Sequence, residues 1–323
     1  MDKRRYFLRK VANAVLTLII VASFNFVLFR MIPGDPARLL LPREKQSPAA
    51  VKTMRHYFHL DAPKWKQFAY YYWYDLVRGR FGVSFYYKRD VSSVIAARVW
   101  PTVVLAGTGT VIATIVGLFL GVFAGWRRNS AFDVVSTNFG MIMYAMPAFW
   151  FGLLCIMLFA TKLQWFPSGG MSEPGTVLHG MTAFGSFLKH LALPVFTFSI
   201  AYIGEYQLIM RSSLTGVMND DFVLTARAKG LSDNAVLWKH TVPNAMLPTV
   251  TLVMMNLGFI MSGAILTETV FSWPGLGLLS YTSMQSLDYP VMQGVFLLAS
   301  VAVIVANLLA DFSYYYLDPR VKA

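Results

Sequence analysis

The segment TARAKGLSDNAVLWKHTVPNAMLP, residues 225–248, lies between two apolar stretches but is itself charged and rich in helix-forming residues. Asp220 stands shortly before it, where an acidic side chain stabilises a helix N-terminus. Gly230 can adopt the left-handed conformation that ends a helix, and Ser232 can cap the next one. Pro243 disfavours helical geometry at the residue before it. The segment therefore predicts a helix, a glycine turn, a second helix and a proline stop.

This predicted hairpin carries small and apolar side chains near its corner. Phe222, Ala226 and Lys229 share one side of the first helix, since residues three or four apart lie on the same face. Ordinary connections are about 4–6 residues long, and longer ones tend to be functional or disordered. The alternative is a solvated linker, but the internal turn signals favour a structured element that docks into a partner.

The composition is that of a membrane protein, since 56% of the 323 residues are hydrophobic and only 14% are charged. A helix needs roughly 20 apolar residues to cross a hydrocarbon core of about 30 Å. The sequence predicts an all-α membrane protein with six transmembrane helices. They are placed near residues 11–29, 103–125, 134–160, 191–210, 249–271 and 290–311.

The formal net charge of +12 is concentrated beside these apolar stretches. Five basic residues precede the first stretch, a pattern typical of a cytoplasmic anchor on anionic lipid: Lys3, Arg4, Arg5, Arg9 and Lys10. The two short outer loops carry only Lys162 and Lys189. This asymmetry predicts cytoplasmic N- and C-termini, and the distribution disfavours binding to nucleic acid.

The long connection after the first span is predicted to be an outer insertion with helices of its own. Ser47, followed by proline, is predicted to begin one helix, and Pro63 a second one that ends at Gly79. The predicted division of the chain has four parts: 1–29 (N-terminus and first span), 30–96 (outer insertion), 97–312 (core with five further spans and the loop 211–248) and 313–323 (cytoplasmic tail).

The end of this insertion has two further features. FGVSFYYK, residues 81–88, is predicted to be extended, and Asp90 is predicted to cap a short helix that ends before Pro101, where the second span begins. The dense aromatic cluster at residues 70–74 indicates either anchoring at the membrane interface or contact with a partner or solute.

Catalytic chemistry has little support in the sequence. No G-x-x-x-x-G-K-[ST] or H-E-x-x-H segment occurs, so neither a phosphate-binding loop nor a zinc-protease site is predicted. Cys155 is the only cysteine and lies in an apolar stretch, which excludes an internal disulfide. We therefore predict no catalytic residue, no metal ligand and no cofactor in this chain.

The interval of thirteen residues from Gly230 to Pro243 resembles the EAA-type loop of bacterial ABC importer permeases. TARAKGLS has the form typical of the dipeptide, oligopeptide and nickel permeases. RMIPGDPA, RGRFGVS, FSWPGLGLL and LDPR occur in the same order as in the B-type subunit of those transporters. The sequence departs from the general pattern at Leu224, Thr225 and Arg80, where a glutamate, an alanine and an acidic residue are common.

The resemblance implies a type I ABC importer permease fold in a bacterial inner membrane, paired with a second homologous permease. It also implies two separate ATPase subunits, which bind ATP and Mg²⁺, and an extracytoplasmic solute-binding protein. In such permeases the loop sits in a groove of the ATPase and transmits its stroke. The residues expected in that contact are Thr225, Ala226, Arg227, Ala228, Lys229, Gly230, Leu231 and Pro243.

Polar residues inside predicted spans are costly in lipid and are therefore candidate pathway residues. Glu205 in the fourth span can line the pathway, pair with a neighbouring helix or lie near the cytoplasmic interface. If it lines the pathway, its carboxylate can meet a solute ammonium group. Asn256 in the fifth span is a weaker candidate.

The outer end of the fifth span carries Glu268, followed by Trp273, Pro274 and Gly275. Proline and glycine indicate irregular backbone, which membrane proteins tolerate only where it is buried in protein or lines water. The alternatives are an outer gate, a contact with the binding protein, or a purely structural re-entrant turn. In the third span, Pro147 predicts a kink.

Two other function classes remain as alternatives. An ion-coupled carrier or channel would need intramembrane charges arranged for ions and would leave the predicted inner hairpin without a purpose. A membrane-embedded enzyme would need a nucleophile with a base, paired acids or a metal cluster, and the spans show no convincing set of these residues.

Overall fold

The structure is a computed structural model that describes residues 3–31, 47–57, 61–72, 78–79, 81–173, 175–176 and 178–317. These residues form helices joined by turns. We label the helices in chain order: α1 (Lys3–Met31), α2 (Pro48–Tyr57), α3 (Lys64–Tyr70), α4 (Val91–Trp126), α5 (Ala131–Ala145), α6 (Ala148–Lys162), α7 (Gly180–Val217), α8 (Asp221–Ala228), α9 (Asp233–Ala245), α10 (Leu247–Ile260), α11 (Ile265–Val270), α12 (Leu276–Gln285) and α13 (Tyr289–Leu317).

Four of these helices, α1, α4, α7 and α13, are long and apolar enough to cross a membrane. Two further crossings are possible if each bent pair forms one span: α5 with α6, bent by 99°, and α9 with α10, bent by 50°. The all-α membrane fold is therefore confirmed, with up to six spans. The predicted kink in the third span is also confirmed, because Met146 is extended immediately before Pro147.

The second span differs from its prediction. The short helix predicted to end before Pro101 instead runs without a break into the span, so that α4 extends over Val91–Trp126. A π-helical turn at Val103–Gly107 follows the proline. The carbonyl oxygen of Pro101 accepts a hydrogen bond of 2.8 Å from the indole nitrogen of Trp273. Tertiary contacts and a wider turn thus accommodate a proline that propensity alone would place at a helix end.

The continuous fifth span predicted at 249–271 is wrong. Helix α10 ends at Ile260, and the chain turns at Gly263, whose φ is +78°. An added Cβ there would lie 2.4 Å from the backbone nitrogen of Gly277, so the two segments are in backbone contact. Helices α11 and α12 then fold back on each other beside the N-terminal part of α4, and we call this pair the re-entrant hairpin.

The centre of the fold is the crossing of α4 and α7. Gly117, Gly121 and Gly125, spaced by four residues, form one buried face of α4 against the backbone of α7. Helix–helix approach at small residues is the usual packing mode inside membranes, where dispersion replaces the hydrophobic effect. An added Cβ at Gly117 would lie 2.8 Å from the carbonyl oxygen of Ile203.

Helix α1 packs along α13, and the amino group of Lys10 lies 2.7 Å from a carboxylate oxygen of Asp311. The outer insertion packs on the other end of α1, where the ring of Phe26 contacts those of Phe68 and Tyr71. Part of the predicted aromatic cluster thus makes contacts within the chain, while its last members, in the range 73–77, lie outside the described residues.

Predictions for the outer insertion have mixed outcomes. The predicted N-cap at Ser47 is confirmed, because its hydroxyl accepts a hydrogen bond from Ala50 N. Helix α3 begins after Pro63 as predicted. Whether it extends to its predicted end at Gly79 depends on residues 73–77, which lie outside the described residues. The extended prediction for 81–88 is wrong, since this stretch forms turns closed by an isolated bridge from Val83 to Asp90.

Buried Asp288 explains that turn. Its carboxylate accepts hydrogen bonds from the hydroxyl of Ser84 and from the backbone nitrogens of Phe85 and Tyr86. These bonds require adjacent donors to converge on one carboxylate, which an extended strand with alternating directions does not provide. Asp90 lies directly before α4, but its side chain makes no capping hydrogen bond.

Candidate functional site

The corner of the inner hairpin, formed by α8 and α9, has a defined backbone geometry. Gly230 has a φ of +75°, as its predicted role at the helix end requires. Its N–H donates to the Arg227 carbonyl at 2.9 Å, and the N–H of Leu231 donates to the Ala226 carbonyl at 3.4 Å. This pair of bonds is the Schellman arrangement, which satisfies carbonyls that the helix end leaves free.

The second half of the hairpin agrees only in part with its prediction. The Ser232 hydroxyl accepts from Ala235 N, so the predicted cap is confirmed. The proline stop is wrong, because Val242 keeps helical angles (φ −57°, ψ −47°) and the helix continues past Pro243 to Ala245. A π-helical turn precedes the proline, which lies in the first turn of the following segment, where a missing N–H is tolerated.

The inner face of the hairpin is buried within this chain. Val223, Ala226 and Val236 form a cluster that packs against Trp126 at the end of α4 and against Val217. Ala226, which the sequence analysis placed in the ATPase contact, is only 4% exposed and faces this cluster. Its small side chain therefore permits close packing of the hairpin on itself.

The remaining residues predicted for the contact lie on the exposed side of the hairpin: Thr225, Arg227, Ala228, Lys229, Gly230, Leu231 and Pro243. Two further apolar side chains, Phe222 (40%) and Leu224 (55%), are also substantially exposed there, and Leu231 itself is 41% exposed. The Arg227 guanidinium lies over the Trp126 ring, 5.5 Å from its centroid. The hairpin thus combines a fixed buried base with an apolar and cationic outer surface.

A buried ion pair fixes the helices beneath the hairpin, and the sequence analysis missed it. Asp133, at the start of α5, accepts two hydrogen bonds from the Arg211 guanidinium, near the end of α7. It also accepts from the Asn129 backbone nitrogen and from the Thr137 hydroxyl. The signal available in the sequence was an acidic residue three positions after a possible capping serine, Ser130.

At the opposite end of α4, the predicted gate residues form a buried cluster. The Glu268 carboxylate accepts a hydrogen bond of 2.8 Å from the Thr102 hydroxyl and one of 3.0 Å from the backbone nitrogen of Leu278. It therefore caps the start of α12. Glu268 and Trp273 are fully buried, and the Pro274 carbonyl accepts from Arg98 at 3.3 Å.

Gly275 lies at the centre of this cluster. An added Cβ would lie 2.4 Å from both the Glu268 carboxylate and the Thr102 hydroxyl, so any side chain would displace the helix cap. The geometry of these residues supports the re-entrant turn among the three alternatives, while a role in gating stays a prediction.

The two candidate pathway residues lie on neighbouring helices. Asn256 of α10 donates a hydrogen bond of 2.9 Å to the hydroxyl of buried Tyr206 on α7. Glu205, the residue directly before Tyr206 on α7, is half-buried. The structure therefore brings these residues to one region of the bundle without a direct bond between Glu205 and Asn256.

Gln207 also lies in this region, and the sequence analysis missed it. Its side chain is fully buried, and among the described residues neither of its amide atoms has a hydrogen-bond partner. An added Cβ at Gly140 of α5 would lie 2.8 Å from the Gln207 side-chain oxygen, so the glycine makes room for the amide.

Comparison with known proteins identifies the family. Residues 117–323 match the family described as binding-protein-dependent transport system inner membrane component, and residues 3–106 match the family of its N-terminal part. A peptide permease protein of Brucella suis biovar 1 (strain 1330) is 37% identical over 321 residues, covering 98% of this chain and 99% of the relative.

Two relatives from Escherichia coli (strain K12) are similar over the same extent. The glutathione transport system permease protein GsiC is 35% identical over 317 residues, and the dipeptide transport system permease protein DppB is 33% identical over 335 residues. Each match covers 98% of both chains. The all-α fold, the inner hairpin and these matches agree. The chain therefore belongs to the binding-protein-dependent transport system inner membrane component family and is the permease subunit of an ABC importer.

Proposed function

We propose that this permease imports peptides, or solutes of similar size, delivered by an extracytoplasmic binding protein. Its proposed partners are a second homologous permease and two ATPase subunits, which bind the ATP and Mg²⁺. The names of the relatives, which include peptide, glutathione and dipeptide permeases, support this class of solute. The chain is a multi-pass inner membrane protein, and we propose that both of its termini are cytoplasmic.

The observation that carries the proposal is the outer surface of the inner hairpin. Its corner is fixed by the hydrogen bonds around Gly230, and it exposes Phe222, Leu224 and Leu231 to solvent. Exposed apolar side chains on a rigid element are typical of a protein interface. We infer that this surface is seated in the ATPase.

The base of the hairpin is suited to transmit force. Leu237 and Val242 of α9 lie in one buried cluster with Val122 of α4 and with Met210 and Leu214 of α7. Displacement of the hairpin would therefore displace the two central helices as well, because packed interiors resist deformation. In this proposal the ATPase stroke reaches the pathway through α4 and α7.

We further propose that the buried cluster around Glu268 holds the outer end of the bundle rigid. Trp273 and Glu268 link the re-entrant hairpin to Pro101 and Thr102 of α4. In this view the residues from Glu268 to Gly275 act at the outer entrance by fixing its shape. Asn256 is proposed to support the pathway by holding the hydroxyl of Tyr206.

Cross-linking tests the proposed contact with the ATPase. Leu231→Cys, in a chain whose buried Cys155 is replaced by alanine, is expected to cross-link to an ATPase subunit in the assembled complex. Trp165→Cys is the control, because it is 62% exposed in the loop predicted to be on the outer side. Cross-linking of Trp165→Cys but not of Leu231→Cys would contradict the proposal.

Uptake measurements test the energy source. The complete complex in proteoliposomes is expected to accumulate a peptide only when ATP is enclosed with the ATPase subunits and the binding protein is outside. Accumulation that survives without ATP but collapses with the proton gradient would identify an ion-coupled carrier instead.

A further inference from the structure

Glu205 occupies an unusual position in the central helix α7. It lies six residues before Arg211, a distance of about 9 Å along the helix axis at a rise of roughly 1.5 Å per residue. Its side chain is half-buried, and within the described residues its carboxylate has neither an ion pair nor a hydrogen bond. An ionised carboxylate this far along the span from Arg211 costs roughly several kcal/mol of free energy if it faces lipid. This part of α7 must therefore face water or another protein.

The surroundings of Glu205 define the kind of ligand that fits. Tyr202, three residues earlier on α7, is 36% exposed, and its ring centroid lies 4.8 Å from that of Phe198. Ammonium groups bind favourably over aromatic faces and form strong hydrogen bonds with carboxylates. One turn of α7 thus offers both kinds of contact, while no cation of this chain occupies them in the described residues.

The neighbouring residues keep this arrangement in place. Tyr206 is fully buried, and its hydroxyl is held by Asn256 of α10 at 2.9 Å. Gln207 is also fully buried, on the side of α7 that faces Gly140. The rotation of α7 about its axis is therefore fixed by two consecutive buried side chains, which leaves Glu205 and Tyr202 on the accessible side.

We propose that Glu205 and Tyr202 form a subsite in the translocation pathway that binds the ammonium group of the transported solute. For a peptide, this group is the N-terminal amine. The inference rests on the proposed function, because it requires that the accessible side of α7 line the pathway. It adds a chemical preference to that function: a free, positively charged amine on the solute.

The test measures uptake of trialanine by the complete complex in proteoliposomes, with Glu205→Gln and Glu205→Asp as variants. We expect Glu205→Gln to lower kcat/KM for uptake by about ten-fold, the effect of losing one charge-assisted contact. Glu205→Asp is expected to retain part of the activity, since it keeps the charge. Glu173→Gln, at an exposed carboxylate in the loop before α7, is the matched control and is expected to leave kcat/KM for uptake unchanged.

A second variant keeps the test informative if Glu205→Gln fails to assemble. Tyr202→Leu removes the aromatic face but keeps the carboxylate, and it is expected to raise the KM for trialanine uptake several-fold. Normal uptake by assembled Glu205→Gln would overturn the subsite. The subsite would also be overturned if Glu205→Gln failed to assemble while Glu205→Asp assembled and Tyr202→Leu showed normal uptake. That combination would indicate that Glu205 forms a permanent ion pair with the second permease. Absence of trialanine uptake by the wild-type complex would instead contradict the proposed function.

Discussion

Replacement of Gly121 by valine is expected to prevent stable association of the two central helices. A Cβ atom at this position would lie 2.7 Å from the Gln207 carbonyl oxygen and 2.7 Å from the Met210 Cβ. The first contact is with backbone, which cannot move aside without separating α4 from α7. Overpacking costs about 1–3 kcal/mol of stability even where side chains can adjust. We therefore expect Gly121→Val to lower the free energy of unfolding by at least about 3 kcal/mol.

The measurement is the fraction of monodisperse protein that remains after heating in detergent. Gly216→Val is the matched control, because it makes the same substitution in α7 at a position where an added Cβ would meet nothing within 4 Å. We expect a large fall in the apparent Tm for Gly121→Val and a small one for Gly216→Val. Equal shifts would show that helix propensity, rather than the close approach of the helices, accounts for the loss.

Replacement of Asp133 by alanine is expected to destabilise the end of the bundle beneath the inner hairpin by about 3 kcal/mol, near the lower end of the range for a broken buried pair. The Asp133 side chain is only 2% accessible, and its removal leaves the Arg211 guanidinium, itself 27% accessible, without its carboxylate. We expect a loss of stability at the lower end of this range because water can still reach part of the Arg211 guanidinium.

A double-mutant cycle distinguishes the ion pair from the loss of packing. Combining Asp133→Ala with Arg211→Met removes the unpaired charge, and we expect it to recover part of the lost stability. Asp311→Ala is the comparison, since its pair with Lys10 is one-third accessible on each side and is expected to contribute at most about 1 kcal/mol. Additive effects of the two substitutions at 133 and 211 would contradict the assigned pairing.

Local backbone chemistry made the hairpin corner predictable. Glycine tolerates positive φ without a steric cost, and a serine hydroxyl can accept from a helix N-terminus whatever its surroundings. Gly230 and Ser232 therefore adopt their predicted roles. The kink at Pro147 was predictable for the same reason, because the ring of proline restricts the residue before it.

Two prolines beside tertiary contacts do not end their helices, in contrast to the prediction. Pro101 and Pro243 were both predicted as boundaries, yet a helix continues through each of them. The side chain of Trp273 binds the Pro101 carbonyl, and α9 is held between α4 and α7 by Leu237 and Val242. Packing of this kind outweighs a local preference of about 3 kcal/mol, and a single sequence does not display it.

The sequence alone was sufficient for the membrane class and for the hairpin corner, because hydrophobic length and turn chemistry are local properties. Tertiary structure decided which polar groups meet. Glu268 contacts Thr102, Asp133 contacts Arg211, and Asp288 contacts Ser84 across separations of 78 to 204 residues. A buried polar group must find its partner wherever the fold brings one, and sequence spacing carries no record of that choice.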